Sequence, residues 1–345
     1  MKPKTEPSIT QAKPLSPDEE PLMNSLRAHS WDEFLGQDHI KKTLRVSIDA
    51  ARKRGDSLEH ILLYGPPGLG KTTMAYILGR EMGVNVRVTA GPALERAGDL
   101  ASILTNLEPN DILFIDEIHR IPKSVEETLY SAMEDFCLDI VIGKGPAART
   151  VRLDLPKLTI IGATTRIGLL SSPLRDRFGV ITRMEFYSPA DISKILSQAA
   201  EKLSLTIDPT AMHEIAKRSR GTPRIALRLL KRVRDVAQVH GDGTVTPSIM
   251  HQALDLLDVD PHGLDNSDRR LLITIIEKFQ GGPVGIETLA AALSEDMGTI
   301  EEVLEPYLMQ LGFLKRTPRG RVVTREGFSH LNKPIPHSLL QENLL

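Results

Sequence analysis

The chain has 345 residues, 41% of them apolar and 26% charged, and its formal net charge is -2. This composition is typical of a globular protein with two or three domains, and it argues against a chain coated all over with basic residues. The single cysteine, Cys137, excludes an intramolecular disulfide and a four-thiolate metal site, and it favours a reducing, cytoplasmic compartment. We expect neither a membrane span nor a secretory signal, because the sequence has no apolar run of about 18 residues and no apolar N-terminal segment.

The first half of the chain predicts a tail followed by an α/β domain. Residues 1–24 are rich in Pro, Ser, Lys and Glu, which predicts a disordered tail. Between residues 25 and 190, helical stretches alternate with short apolar runs at 60–65, 84–91, 111–117, 158–165 and 180–187. Strands that alternate with helices indicate a parallel, doubly wound sheet with helices on both faces.

The second half predicts two smaller domains. Residues 191–258 hold four amphipathic helical segments separated by Gly or Pro, which indicates a small all-helical domain. Residues 259–333 hold three more helical patterns that lead into FLKRTPRGRVVT, a Gly-centred hairpin. This order favours a winged helix, although periodicity alone allows another three-helix module. Residues 334–345 are expected to form a C-terminal tail.

The segment GPPGLGKTT satisfies the pattern G-x-x-x-x-G-K-[ST] that binds nucleotide phosphates. Its glycines let backbone N–H groups close around the phosphates, and the following helix N-terminus adds its positive dipole end. Lys71 would reach the β- and γ-phosphates, and the Thr72 hydroxyl would bind Mg²⁺. A chance glycine-rich turn is disfavoured by the strand before it and the helix after it. The residues expected to contact nucleotide here are Gly65, Gly68, Leu69, Gly70, Lys71, Thr72 and Thr73.

A second motif, DILFIDE, ends a buried strand with two acids. At the C-terminal end of a strand, where α/β sheets hold ligands, Asp116 would orient Mg²⁺ and Glu117 would act as the general base on the attacking water. Thr165, at the end of the IGATT run, would hydrogen-bond this water or the γ-phosphate; without the neighbouring motifs, a threonine that satisfies local backbone groups would be the favoured interpretation. Because the acids follow a phosphate loop, the pair of motifs predicts an NTPase.

These motifs, with the all-helical second domain, resemble AAA+ ATPases, and further segments closely resemble the RuvB family, which drives branch migration of Holliday junctions. The resemblance covers about residues 26–330 and rests on LGQ (35–37), DIVIGKGPAART (139–150), SPLRDRFG (172–179), RGTPRIALRLLKRVRD (220–235) and TPRGR (317–321). It implies ATP and Mg²⁺ as cofactors, and a homo-hexameric ring around duplex DNA at a Holliday junction. It also implies the partner proteins RuvA and RuvC.

The resemblance assigns a role to each matched position. Lys71 and Thr72 match Walker A, Asp116 and Glu117 match Walker B, and Thr165 matches sensor 1. Two arginines complete the set. Arg224 matches sensor 2, which reaches the γ-phosphate of its own subunit, and Arg177 matches the arginine finger, which is supplied to a neighbouring subunit.

The adenine side of the site is assigned by the resemblance as well. Ala28 stands where the family usually has a proline, so this part of the pattern is altered while the phosphate motifs are intact. The residues that the resemblance implies around the base are Leu26, Arg27, Tyr187 and Pro223.

Two further segments suggest macromolecular contacts. Residues 133–155 read as two strands around a Gly-Pro turn, and one face carries Leu138, Ile140 and Ile142. That face either packs in the core or, as the resemblance implies, docks RuvA. In the C-terminal hairpin, we expect DNA phosphate contacts from Arg316, Arg319 and Arg321, with a solvated charged turn as the alternative.

Two other functions stay open on sequence alone. A clamp loader or replication initiator would share the ATPase motifs, but a clamp loader would end in a helical collar and not in a basic winged helix. A DNA-binding regulator switched by nucleotide would need no general base, which Glu117 argues against. A protein-unfolding motor would need an aromatic pore loop in a convincing context, which we do not find.

Overall fold

The computed structural model describes residues 19–142 and 149–336. The chain divides into two compact units. The first unit comprises Arg27–Gly65 and Leu69–Glu185, and the second comprises Met1–Leu26, Pro66–Gly68 and Phe186–Leu345. Helix α1 (Glu19–Ser25) lies in the segment that composition predicts to be disordered, so that prediction does not hold for residues 19–24.

The first unit is built on a five-stranded parallel sheet in the order β2-β3-β6-β1-β7, which confirms the predicted fold class. A separate antiparallel hairpin, β4–β5, precedes β6. The strands are β1 (Ile61–Tyr64), β2 (Val86–Ala90), β3 (Ile112–Asp116), β4 (Cys137–Ile142), β5 (Arg149–Asp154), β6 (Thr159–Thr164) and β7 (Val180–Arg183). The helices are α2 (Asp38–Arg54), α3 (Lys71–Met82), α4 (Ala97–Leu104), α5 (Lys123–Glu134) and α6 (Ser172–Asp176).

The sheet brings three predicted motifs to one edge. Strand β6 is buried along its whole length, and β3 is buried up to its last residue, as expected for central strands of a parallel sheet. Tyr64 of β1 pairs with Thr164 of β6, and Ile115 of β3 pairs with Gly162 of the same strand. The phosphate loop, the acidic pair and the threonine pair therefore follow three adjacent strands at their carboxyl ends, where α/β sheets bind ligands.

The β4–β5 hairpin begins inside the core of this unit. Cys137 pairs with Asp154 and Ile142 pairs with Arg149, while the connecting residues 143–148 lie outside the described residues. The Leu138 side chain is fully buried in the same apolar cluster as Leu155. Leu138 is therefore not proposed as a partner contact, because no surface is left for a partner to touch.

The helical part of the second unit has helices whose starts are encoded locally. Each one begins with proline at its first position, where a fixed φ suits the helix and no N–H is needed. Side-chain caps from Ser188, Asp208 and Thr246 accept backbone N–H bonds at three of the four starts. The helices are α7 (Pro189–Lys202), α8 (Pro209–Arg218), α9 (Pro223–His240) and α10 (Pro247–Leu256).

The remainder of the second unit is a winged helix with its own apolar core. Its hairpin gains a third segment, because the N–H of Val284 donates to the Arg321 carbonyl (3.0 Å) and the N–H of Arg321 donates back (2.8 Å). The elements are α11 (Asn266–Phe279), α12 (Ile286–Leu293), α13 (Met297–Thr299), a π-helical turn (Ile300–Leu304), α14 (Glu305–Gln310), β8 (Leu314–Thr317), β9 (Gly320–Val323) and α15 (Arg325–His330).

Within the described ranges, none of the helices combines the length and apolarity that a bilayer crossing requires.

Candidate active site

The phosphate loop between β1 and α3 has the conformation that its glycines allow. Gly65, Gly68 and Gly70 have φ angles of 142°, 79° and 100°, which residues with a side chain rarely adopt. A Cβ at Gly65 would collide with the Met184 carbonyl oxygen. Lys71 is 8% exposed, and its ammonium donates to the Gly65 carbonyl at 2.9 Å, so the cation is held within its own loop. Closely packed backbone with a positive charge beside it fits the phosphates of a nucleotide.

The acidic pair stands at the end of β3, one residue in the strand and one just beyond it. Asp116 is the last residue of the strand, and its carboxylate accepts the N–H of Glu117 at 2.9 Å. Glu117 has a φ of 47°, a left-handed backbone conformation that ends the strand in a turn. The Glu117 carboxylate also accepts a 2.9 Å bond from Arg120, and both side chains are partly exposed. Glu117 is thus paired with a basic neighbour in a bond that solvent can reach.

The neighbouring strand β6 ends in two threonines with different surroundings. Thr164 is 1% exposed, and its hydroxyl shares a 3.0 Å hydrogen bond with Nδ1 of His119 and accepts the Arg166 N–H at 3.0 Å. Thr165, the predicted sensor, is only partly buried and follows the strand directly. The contact between Thr164 and His119 ties the sensor segment to the turn after the acidic pair. Neither residue was a sequence-predicted site residue, although His119 lies two positions after Glu117.

Arg224, the predicted sensor 2 arginine, lies in the second unit, at the start of α9. The Arg224 N–H donates to the carbonyl oxygen of Gly68, which belongs to the same unit, at 3.4 Å. A Cβ on Gly68 would touch the Thr222 methyl group and Cβ of Arg224 at 2.8 and 3.0 Å. The middle of the phosphate loop therefore packs directly against the residues that carry sensor 2.

The predicted arginine finger follows α6 and packs on its own subunit. The Arg177 guanidinium donates to Glu134 at 2.9 Å and to the Pro173 carbonyl at 2.7 Å, and it lies 4.2 Å from the centre of the Tyr130 ring. Its side chain is 20% exposed. Arg175, two residues earlier, is half-buried. The contacts of Arg177 hold it at the end of α6 and leave about a fifth of its side chain exposed.

The predicted adenine-side residues are divided between the two units. In the first unit, the Arg27 guanidinium lies 5.8 Å from the centre of the Tyr76 ring. In the second, Tyr187 is buried and its N–H donates to the Gly221 carbonyl at 2.8 Å, and Pro223 is the first residue of α9. Leu26 is half-buried.

The three arginines of the hairpin differ in what they contact. Arg321 is 8% exposed, and it donates to Glu305 at 2.6 Å and to Glu301 at 3.0 Å. Arg316 is exposed but also donates to Glu305, at 2.5 Å. Arg319 is exposed at the tip between β8 and β9. Arg321 is therefore not proposed as a DNA contact, because its guanidinium is enclosed by the acids of α14 and the π-helical turn.

Three family models match the chain in succession. They are the Holliday junction DNA helicase RuvB P-loop domain at residues 26–184, the RuvB AAA lid domain at 187–260 and the RuvB C-terminal winged helix domain at 261–332.

Solved structures are similar over most of the chain. The Thermotoga maritima RuvB Holliday junction branch migration motor is 50% identical, with a TM-score of 0.84 over 90% of this chain and 100% of that chain. A mutant of the same Thermotoga maritima RuvB is also 50% identical, with a TM-score of 0.85 over 90% and 99%. The Aeropyrum pernix ORC2 protein, in ADPNP-ADP complexes, is 15% identical with a TM-score of 0.53 over 83% and 88%, which shows a shared fold alone.

The phosphate loop, the acidic strand end and the winged helix thus occur in the order in which the three models match them, from residue 26 to residue 332, and this chain belongs to the RuvB family of P-loop ATPases.

Proposed function

We propose that the chain is the subunit of an ATP-driven, cytoplasmic DNA motor that moves Holliday junctions by branch migration during recombination and repair. The observation that carries this proposal is the meeting of the three ATPase motifs at adjacent strand ends, in a chain that also carries a winged helix with a basic tip. A clamp loader is disfavoured because the C-terminal domain is a winged helix. The cytoplasmic location accords with a single, buried, free cysteine.

ATP would bind in the loop of residues 65–73, where the backbone N–H groups and the Lys71 ammonium face the phosphates. The Thr72 hydroxyl and the Asp116 carboxylate are the groups that would hold Mg²⁺, which when bound neutralises charge on the β- and γ-phosphate oxygens. Adenine would lie beside Leu26, Arg27, Tyr187 and Pro223. Phosphoryl transfer of this kind depends mainly on positioning and electrostatic stabilisation, so rigid placement of these groups accounts for most of the catalysis.

Glu117 would take a proton from the attacking water, and Thr165 would orient that water. To do so, the Glu117 carboxylate has to exchange its bond with Arg120 for one with water. This exchange is accessible because exposed ion pairs contribute only about 0–1 kcal/mol. Arg224 would stabilise the γ-phosphate of its own subunit, and Arg177 would stabilise the transition state in a neighbouring subunit of a hexameric ring.

DNA would pass along the winged helices of the ring. Arg319 at the hairpin tip, supported by Arg316, would contact phosphates without reading bases, so binding should be independent of sequence and should weaken with salt. RuvA would dock on the end of the β4–β5 hairpin, where Ile140 and Ile142 lie in β4 and their side chains are outside the described set. RuvC would join in the complex that resolves the junction.

The test is branch migration of a synthetic four-way junction by the purified chain with RuvA and ATP. Wild type should convert the junction to its products, and Lys71→Ala should not, because the loop loses the cation that faces the phosphates. A nucleotide-switched regulator would bind ATP and DNA but show no turnover and no junction movement. That result with wild type would contradict the proposed function.

A further inference from the structure

An arginine in the second unit occupies an unusual position four residues before sensor 2. Arg220 stands between α8 and α9, and its φ of 57° is a conformation that non-glycine residues seldom adopt. It is followed by Gly221, whose φ is 60°. Arg220 is also only 3% exposed, so a charged side chain is both buried and attached to an unfavourable backbone. Such positions persist where the surroundings fix them strongly.

The Arg220 side chain bonds entirely to the start of the winged helix. Nε donates to the Gly263 carbonyl at 2.7 Å, and the two Nη groups donate to the two oxygens of Asp268. Nη2 also lies 3.9 Å from Asp265, and the guanidinium stands 5.1 Å from the centre of the Tyr307 ring. Asp265 caps α11 and forms a capping box with Asp268, so the arginine holds the beginning of the first helix of this domain.

The Arg220 backbone, by contrast, belongs to the turn that carries Arg224. The Thr222 hydroxyl donates to the Arg220 carbonyl at 3.3 Å, and the Thr222 N–H donates to the Ser219 carbonyl at 3.0 Å. The same turn meets the phosphate loop through the bond from Arg224 to Gly68. A cavity beside the turn is lined on one side by Gly68 and Arg224 and on the other by Tyr307.

We propose that Arg220 is a positioning residue that couples the winged helix to sensor 2, so that DNA on the winged helix changes the placement of Arg224 and thereby the rate of ATP hydrolysis. This inference rests on the proposed function and deepens it. The Arg220 side chain is hydrogen-bonded to the winged helix, and the Arg220 backbone leads directly to Arg224 in the helical domain. Covalent and hydrogen bonds therefore connect the two domains at this point. The path is only five residues long, from Arg220 to Arg224.

Stability alone does not account for the Arg220–Asp268 pair. Burial, together with the Asp265 carboxylate, raises the pKa of Asp268 to about 7 although the Arg220 guanidinium lowers it, so charging this acid is costly. Apolar residues of similar volume often replace such pairs without loss of stability. Replacing Arg220 and Asp268 by apolar residues therefore separates a role in stability from a role in coupling. Such a replacement restores packing but not the hydrogen bonds that connect the winged helix to the turn before Arg224.

The experiment compares the full-length wild type with Arg220→Met/Asp268→Leu and with Arg220→Lys. The measured quantity is the ratio of ATP turnover with saturating duplex DNA to turnover without DNA, together with DNA affinity and urea unfolding. We expect the ratio of each variant to be closer to one than the wild-type ratio, with its distance from one at least halved. DNA affinity should stay unchanged. Lysine keeps the charge but cannot reach the Gly263 carbonyl and both Asp268 oxygens together, so Arg220→Lys answers the question even if the double variant fails to fold.

Arg218→Met is the matched control. Arg218, the last residue of α8, is likewise a buried arginine, but the bonds of its side chain within the described residues go to Glu214, to the Met250 sulfur and to the Asp260 carbonyl, none of which lies in α11. It should lower stability and keep the wild-type ratio. A folded Arg220→Lys variant with the wild-type ratio would overturn the inference, as would a wild-type ratio of one. Absence of turnover or junction movement in wild type would instead overturn the proposed function.

Discussion

At the residue scale, Glu117, the proposed general base, is paired with a basic neighbour and is not buried. Its backbone is left-handed, with a φ of 47°, and Arg120 holds its side chain in a partly exposed ion pair. The sequence predicted both acids because strand ends in α/β sheets are where ligands bind. It could not predict the Arg120 pair, since the rotation of an exposed side chain is set by local packing and not by spacing.

The first prediction concerns this acid. Glu117→Gln keeps the shape and removes the base, so turnover should fall by about 10²–10⁴-fold while ATP affinity stays near wild type. Arg120→Ala is the control, because it removes the partner of the base but leaves the carboxylate. Steady-state ATPase and nucleotide-binding assays measure both effects. Wild-type turnover by Glu117→Gln would show that another group activates the water.

The second prediction concerns His60, which is held neutral beneath the sheet edge. Nδ1 accepts the Ile160 N–H at 2.9 Å, which leaves the proton on Nε2 to bond the Met133 carbonyl at 3.0 Å. Burial lowers the pKa of His60 below its usual 6.5. As the pH falls below 6.5, the unfolded chain takes up a proton on His60 more readily than the folded chain does. The contribution of the neutral His60 to the free energy of unfolding is therefore fully present above pH 6.5 and is lost below it, by up to about 1.4 kcal/mol per pH unit.

Urea unfolding at several pH values between 5 and 8 measures this effect. His60→Gln should make the free energy of unfolding less dependent on pH below 6.5, since no proton can be taken up at that position. His39→Gln, at an exposed site on α2, should keep the wild-type profile. Equal pH dependence in the wild type and His60→Gln would show that His60 does not set it.

At the element scale, the hairpin of the winged helix combines a structural role with a proposed DNA-binding role, and the sequence does not separate the two. Five basic residues between 315 and 325 predict a phosphate contact, and spacing gives each arginine the same weight. The acids that pair with Arg316 and Arg321 lie 11 to 20 positions earlier in the chain. Only the packing of α14 against the hairpin shows that Arg321 is a structural residue, because its guanidinium is enclosed by Glu305 and Glu301.

The β4–β5 hairpin illustrates the same difficulty for apolar residues. Alternation correctly predicted two strands and left open whether Leu138 packs or docks. The answer depends on how far the hairpin extends beyond the core, and strand period contains no information about that distance. For Leu138 the structure gives core packing.

The third prediction distinguishes two arginines of the hairpin. Arg321→Ala leaves Glu305, which is 1% exposed, with Arg316 as a remaining cationic partner, so the free energy of unfolding should fall by less than the roughly 3–5 kcal/mol that an unpaired buried charge costs. Arg319→Ala should leave stability unchanged, weaken binding to all duplex sequences alike, and reduce the slope of log affinity against log salt by about 1. Urea unfolding and DNA titrations at several salt concentrations measure these effects. An unchanged salt slope for Arg319→Ala would remove this arginine from the DNA interface.

At the scale of the whole molecule, the proposed function divides the ATPase site between two copies of the chain. Lys71, Asp116 and Thr165 follow neighbouring strands, whereas Arg177 packs on its own Tyr130 and Glu134. The sequence resemblance alone suggested a use for Arg177, because pairing patterns within one chain contain no information about a second copy. In the proposed function, a neighbouring subunit therefore supplies the last cation.

Mixed rings provide the most direct test of a site shared between copies. Lys71→Ala and Arg177→Ala subunits are mixed in equal amounts, assembled on duplex DNA with ATP, and compared with each variant alone. Each variant alone should be nearly inactive, since an arginine finger contributes roughly 10³–10⁵-fold in rate. The mixture should hydrolyse ATP well above the sum of the two, because some sites then combine an intact Lys71 with the Arg177 of a neighbour. A mixture no more active than that sum, or an Arg177→Ala ring with normal turnover, would contradict the shared site.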